Sequence, residues 1–430
     1  MNRAARLVSR LVPRGSLRAN VLMLMSGTAL GQALLLATAP ILTRLFAPAT
    51  FGAFGAYLSL AAILGSLSTL RFDYALMLPR EEEEAASLLG AALLSAAVVS
   101  LAVLAAALPL RRAVMTALRI EALGGWIMAL PASILSFGAF QAFNSWVLRH
   151  KEFARSSAAQ GARALSIAAV QLGSGFLSSG PGGLVMGAAG GDAVAAMLLA
   201  GGVRRRHGQL LRRAFRIDRI VRVARAYREF PLYSAPQNLL NAVSQHLPLL
   251  LLAKFFGPAV AGFYVLAVRS VQAPLNLFLN SLRQAFFQKA SELHNRGGDT
   301  VTLFRRTTLR LLAMAAPPTL AVLLFGPRLF AFVLGSRWLT AGVYARWLVL
   351  WQGLMFANVP AVFFAQVLRK QRQVLLVDIV LLVARALAIV AGGLRRDPLL
   401  AVVLYSVAGV AVNLFMIAWV GWLLRPGRAA

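Results

Sequence analysis

Apolar runs of about 20 residues follow one another along almost the whole chain, separated by short polar segments. Each run is long enough to cross a hydrocarbon core of about 30 Å as a helix. The runs are too long and too rich in Leu and Ala for strands, and lipid admits only helices and closed barrels, which satisfy every backbone group internally. The pattern predicts twelve helical spans, at about 20–43, 52–78, 85–109, 121–148, 157–178, 182–203, 232–253, 259–287, 307–326, 341–368, 374–393 and 398–424. Prolines and glycines punctuate the turns, as at Pro48, Pro79, Pro181, Pro258 and Pro398. The N-terminal basic and apolar stretch has the outline of a secretory signal, but its length and Pro40 fit an uncleaved first span better.

One connection is written twice. Arg44–Gly52 reads RLFAPATFG, and 210 positions on Lys254–Gly262 reads KFFGPAVAG. A cation, Phe, a small residue, Pro, Ala and Gly recur in register. An offset of six spans returns the chain to the same side, so the copies are parallel repeats about an axis along the membrane normal. Pro opens the second helix of each copy, where its missing N–H costs nothing, and the Gly permits close helix contact. The expected organisation is a six-helix bundle at 1–203, a basic linker helix at 204–230 and a second six-helix bundle at 231–430. The two bundles would be related by a pseudo-twofold axis around a central cavity.

Composition agrees with this reading. Of 430 residues 59% are hydrophobic and 13% charged, against about 25% charged in soluble chains, and the mean hydropathy is +0.72. There is no cysteine, which excludes disulfides, thiolate metal sites and a Cys nucleophile. The four histidines, His150, His207, His246 and His294, form no metal-spaced cluster. Neither a metal nor a cofactor is expected.

The net charge of +30 is almost all arginine and sits in short loops, which argues for membrane orientation rather than nucleic-acid binding. With the termini and the even-numbered connections on one side, that side holds 29 Lys and Arg and the other nine. Both termini are therefore expected in the cytoplasm. The longest polar stretch, 204–229, interleaves arginines with Leu210, Leu211, Phe215, Ile217, Ile220, Val221 and Val223. It reads as a basic helix on the anionic cytoplasmic leaflet over 204–228, or as a dock for a partner protein.

Six arginines lie within or near spans: Arg71, Arg163, Arg269, Arg283, Arg346 and Arg385. An Arg at mid-membrane costs about 2.5–3.5 kcal/mol even on the lowest scale, so each needs a wet cavity or a counter-ion. Three structural ion pairs suggest themselves: Arg71 with Asp73, Arg163 with Asp192, and Asp378 with Arg385. Arg71 and Asp73 can equally snorkel to the interface, and Arg163 can serve a binding site instead. Arg269 has no evident acidic partner, and its fixed fork of donors suits phosphate oxygens. The alternative is an Arg neutralised by carbonyls at a Pro274 kink. Amides add to the polar faces: Gln141 and Asn144 on span four, Asn241, Gln245 and His246 on span seven, Gln272 and Asn276 on span eight. Such groups commonly join helices; beside Arg269 they also suit a hydroxyl-rich, phosphorylated ligand.

The stretch Leu42–Leu89, LTRLFAPATFGAFGAYLSLAAILGSLSTLRFDYALMLPREEEEAASLL, resembles the first two spans of bacterial polysaccharide transporters. These are the O-antigen (Wzx-type) lipid-linked oligosaccharide flippases of the multidrug/oligosaccharidyl-lipid/polysaccharide exporter superfamily. YREFPLYSAPQNLLN at Tyr227–Asn241, FFGPAVAGFYVLAVRSVQAPL at Phe255–Leu275 and LGSRWLTAG at Leu334–Gly342 extend the resemblance over about 20–424. It implies a cationic central cavity and translocation of a polyprenyl-diphosphate-linked glycan to the outer leaflet of the bacterial inner membrane. The role is surface polysaccharide synthesis, such as O-antigen, capsule or exopolysaccharide, beside a polymerase and other glycan-assembly proteins. In family members, arginines on the first helices of each bundle engage the diphosphate. Arg269 fits that role, and Arg44 fits if the cavity reaches the outer end of span one, whereas span seven offers amides and His246 in place of an inner arginine. A multidrug or small-solute exporter of the same superfamily is the alternative, and would call for an acidic cavity. A membrane-bound polymerase or ligase would need a long reactive outer loop, and the outer loops here are short. No enzymatic activity is expected.

Overall fold

In the computed structural model the described residues are 17–177, 180–272, 293, 299–368 and 370–425. Among them the chain is helical without strands. The elements are α1 Leu17–Leu45, α2 Pro48–Gly65, α3 Phe72–Ala75, α4 Glu82–Leu118, a 3-10 stretch Glu121–Ala129, α5 Leu130–Arg149, α6 Phe153–Phe176, α7 Gly180–Ala214 and α8 Ile217–Ala226. A π-turn Phe230–Ser234 leads into α9 Ala235–Phe256, then α10 over 258–272, α11 Thr300–Leu334, α12 Leu339–Ala357, α13 Val359–Val367, α14 Gln371–Leu394 and α15 Pro398–Leu423. Nine helical segments among the described residues are long and apolar enough to cross a membrane. The protein is a multi-pass membrane protein.

Helix ends follow local chemistry. Asp397 caps α15, its Oδ1 accepting from the Leu399 and Leu400 amides at 2.9 and 3.0 Å, with Pro398 in the first turn. Asp299 caps α11 through the Thr302 amide at 2.9 Å. Hydrogen bonds from Thr302, through its side chain and then its backbone, hold the Asp299 carboxyl below its ordinary value.

Two of the spans expected to be continuous are broken. Span two stops at Gly65, and Leu70 and Arg71 take left-handed φ of 47° and 66° before α3. The cause lies in SLSTLRFD, Ser66–Asp73, whose short polar side chains compete with the helix ladder for backbone groups. Ser66 Oγ donates to the Ile63 carbonyl at 2.6 Å. Span ten is interrupted at Asn358, because Pro360 cannot donate back into α12. The buried Asn358 Nδ2 donates to Asn413 Oδ1 on α15 at 2.9 Å.

The chain clusters into two compact units, one of residues up to Phe46 plus Tyr57–His246, the other of Ala47–Ala56 plus Leu247–Ala430. The first turns of α2 thus pack in the second unit, and the first half of α9 in the first. Within the second unit the duplicated motif meets itself. A Cβ on Gly52 would overlap the Pro258 carbonyl oxygen, and a Cβ on Gly262 would overlap the Pro48 carbonyl oxygen. Position 48 relates to 258 as 52 relates to 262, so the contact is self-complementary in the manner of a local twofold.

The linker helix α8 is docked on protein. Ile220 is buried, packed so closely on Gly90 of α4 that a Cβ there would come within 2.9 Å of it. The acidic run Glu82–Glu84 at the start of α4 holds four neighbours. Glu82 binds Arg149 and His150 at 3.2 and 3.1 Å, Glu83 binds Arg219 at 2.7 Å, and the Tyr227 hydroxyl donates to Glu84 at 3.2 Å. These carboxylates also suit the positive end of the α4 dipole. Partial burial and the Glu84 carboxylate raise the Tyr227 phenol above its ordinary value.

Candidate functional site

The first unit contains a polar cavity of about 410 Å³. The break in α2 supplies one wall with Ser66, Ser68, Thr69, Arg71, Asp73 and Tyr74. Helix α5 contributes Ser133, Phe137 and Gln141, α6 Arg163, α7 Asp192, and α9 Asn238. Irregular backbone at membrane depth is tolerated where it lines such a cavity, and Asn238 Nδ2 donates to the Ser66 carbonyl at 2.9 Å, satisfying one group that the break leaves free.

Charge in the cavity is balanced. Arg163 Nε donates to Asp192 Oδ1, and the Arg163 guanidinium lies 5.5 Å from the Phe140 ring centre. Asp73 is 3% exposed and accepts a 2.6 Å hydrogen bond from Thr69 Oγ1. Arg71 lies over the Tyr74 ring at 3.6 Å, and its Nε is buried without a hydrogen-bond partner. The expected Arg71–Asp73 pair is therefore replaced by two local contacts. The left-handed backbone at Arg71 turns its guanidinium onto Tyr74, while Thr69, one turn before Asp73, reaches the carboxylate. The Tyr57 hydroxyl and Ser133 Oγ, 2.6 Å apart, complete the lining. The cavity accordingly combines guanidinium donors, carboxylate acceptors, hydroxyls, amides and aromatic faces, groups suited to a hydroxyl-rich ligand with an anionic group. The resemblance implies a cationic central cavity; in this first-unit cavity two buried carboxylates, Asp73 and Asp192, accompany the two guanidiniums.

The remaining sequence-selected residues lie elsewhere. Asn144 Oδ1 accepts from Ser156 at 2.6 Å and joins α5 to α6. Gln245 Nε2 donates to Asn241 Oδ1 at 3.2 Å on an exposed face of α9, and His246 is half-buried. Arg44 is exposed at the end of α1. Arg269 is exposed on α10, without an ion pair among the described residues. Gln272 closes the described part of α10, and Asn276 falls outside the described residues. Asp378 and Arg385 do not meet. The Arg385 guanidinium packs against Trp351 and Tyr405 at 4.3 and 4.5 Å, where aromatic faces replace the carboxylate, and Asp378 is exposed. Sequence reasoning underrated Ser66, Thr69 and Asn238. The visible signal was SLSTLRFD, a polar octet inside an apolar span.

The model of a family described as polysaccharide biosynthesis protein matches residues 41–342. The chain belongs to this polysaccharide biosynthesis protein family. No curated protein matches it in sequence. Among solved structures it is similar to a lipid II flippase, MurJ, in an inward closed conformation, with a TM-score of 0.71 and 12% identity over 93% of this chain and 87% of that one. It is also similar to a multidrug resistance MATE family transporter of the MOP superfamily. The inward-facing form has a TM-score of 0.66 and 11% identity over 93% and 94% of the two chains. The outward-facing form has a TM-score of 0.59 and 14% identity over 94% and 95%. At such identities the likeness is one of fold. This member of the polysaccharide biosynthesis family has the flippase and transporter fold of the MOP superfamily, and its cavity lies in the first unit of that fold.

Proposed function

We propose that the protein is a flippase for a polyprenyl-diphosphate-linked glycan, moving it from the cytoplasmic to the outer leaflet of the bacterial inner membrane for surface polysaccharide synthesis. The observation that carries this reading is a mixed polar cavity inside a membrane-spanning unit, in a chain of the polysaccharide biosynthesis family. The glycan head occupies the first-unit cavity, where Gln141, Asn238 and the hydroxyls of Ser66 and Thr69 take up sugar hydroxyls and Tyr74 offers a ring face. Arg71, with unused donor capacity, takes the anionic group. Arg269, exposed on α10, is a further cation suited to phosphate. Alternating access carries the head across while the lipid tail stays in the bilayer. The excess of Lys and Arg on one side supports a topology with both termini in the cytoplasm. The chain forms no covalent intermediate and acts as a transporter, beside the polymerase and other glycan-assembly proteins.

Asp73 and Asp192 favour a second reading, an exporter of organic cations, because buried carboxylates attract them. Complementation separates the two. In a strain lacking its own transporter, wild-type protein is expected to restore surface glycan, and Arg71→Ala and Arg269→Ala to reach the membrane normally yet fail to restore it. Full restoration by both variants, or drug resistance without glycan, contradicts the flippase reading.

A further inference from the structure

Beyond the end of the apolar part of α7, residues 204–213 and Phe215 frame a groove of about 880 Å³. The helix is kinked there, with His207 at φ −118° and ψ 15°. Arg204, Arg205, Arg212 and Arg213 line the groove, all exposed and without a carboxylate partner among the described residues. Arg206 is engaged by Glu152 at 2.7 Å. The neighbouring helix α8 continues the surface. At about 100° per residue, Ile220, Val223 and Ala224 share the face docked on α4. Arg222 and Arg225 fall on the opposite side, exposed. Ile217 and Val221 lie on the edge between these faces and stay 64% and 41% exposed. An apolar edge beside an arginine face, with one flank fixed to protein, is the signature of a helix lying at a headgroup boundary.

Orientation of the chain needs positive charge on one side, and arginines on any mobile loop supply that. It does not need them on a helix held by Ile220 and by the Glu83–Arg219 ion pair, nor an exposed Ile217 and Val221 alongside. We propose that this groove and the free edge of α8 form a binding site for anionic phospholipid headgroups. The arginines take the phosphodiester and glycerol oxygens, and Ile217 and Val221 enter the acyl boundary. A soluble polyanion would find the same arginines, but it gains nothing from the apolar edge, so the lipid is the occupant. The inference is independent of what the chain carries.

The absence of cysteine gives a direct test. Ile217→Cys carrying a nitroxide is placed in the full chain, reconstituted in phosphatidylcholine nanodiscs with and without phosphatidylglycerol. The expected result is that phosphatidylglycerol brings the label within reach of dissolved oxygen and shields it from an aqueous nickel complex. Raised salt and the quadruple variant R212Q/R213Q/R222Q/R225Q should each reverse this, the variant with a loss of phosphatidylglycerol affinity of about tenfold or more. A water-accessible label whatever the lipid overturns the proposal. So does an RNA oligonucleotide or inorganic phosphate that displaces phosphatidylglycerol at equal charge, because the patch would then be a general polyanion surface. If the variant fails to fold, the salt series on the wild-type background decides alone.

Discussion

Arg163 and Asp192 show what a single pair does inside this fold. Asp192 is 9% exposed and its partner keeps 37% of its side chain accessible, so the pair joins α6 to α7 at the rim of a wet cavity. Removing Arg163 leaves a buried carboxylate without its partner, whereas removing both ends restores balance. Arg163→Ala is expected to lower stability by about 1–3 kcal/mol, less than for a fully buried pair because solvent screens Arg163. The double variant R163A/D192A should lose less than the single one, as read by thermal unfolding in detergent. A double variant that loses the full sum of both single changes would show that the two residues act apart. Asp299 offers a pH test. Its folded carboxyl is held below the unfolded value, so the cap stabilises α11 above the ordinary carboxylate range and fades as pH falls through the lowered value. Amide protection at Thr302 should therefore drop on acidification, and should be low at every pH in Asp299→Ala. At this scale the sequence was only partly informative. Arg163 and Asp192 could be matched by depth on consecutive spans. The choice of Thr69 for Asp73 and of Trp351 and Tyr405 for Arg385 depended on backbone turns and ring positions that no spacing rule contains.

At the scale of elements, the duplicated motif decides most. Pro48 and Pro258 start their helices as expected, but the reason for Gly52 and Gly262 emerges only when the two copies are seen against each other. Each glycine gives the other copy's proline carbonyl room to approach. Gly52→Ala and Gly262→Ala should each cost about 3 kcal/mol or more, since backbone cannot move aside as a side chain can. The double variant should cost less than the sum, because one displaced contact already separates the helices. Independent, additive losses would show that the two glycines do not share a contact. Among the described residues the length of the apolar runs placed the spans well, because twenty apolar residues in lipid leave little alternative; the part of span eight beyond Gln272 lies outside them. Run length missed the break in α2. The run SLSTLRFD was counted into a span by its neighbours' hydropathy, although its Ser, Thr and Asp side chains favour local backbone bonds. The linker is a similar case. Its alternation of apolar and basic residues was legible, but docking of its apolar face on Gly90 was not, because the partner surface is more than a hundred residues away.

At the scale of the whole molecule, the resemblance carried by Leu42–Leu89 and its later companions agrees with the family match over residues 41–342 and with the flippase and transporter fold. Composition alone excluded thiol chemistry and a soluble fold. It could not show that the intramembrane charges of the first unit would come together around one cavity, since Arg71, Arg163 and Asp192 are far apart along the chain. In the proposed function the protein moves a diphosphate-linked glycan, using that cavity. The most direct measurement is translocation in proteoliposomes of a polyprenyl-diphosphate oligosaccharide with a fluorescent label on its sugar, followed by loss of protection from a membrane-impermeant quencher. Wild-type protein should speed translocation well above empty vesicles, and Arg71→Ala should fall back towards the empty-vesicle rate. No acceleration by correctly inserted wild-type protein, with uptake of an organic cation in the same vesicles, would rule out a glycan flippase and leave an exporter of organic cations.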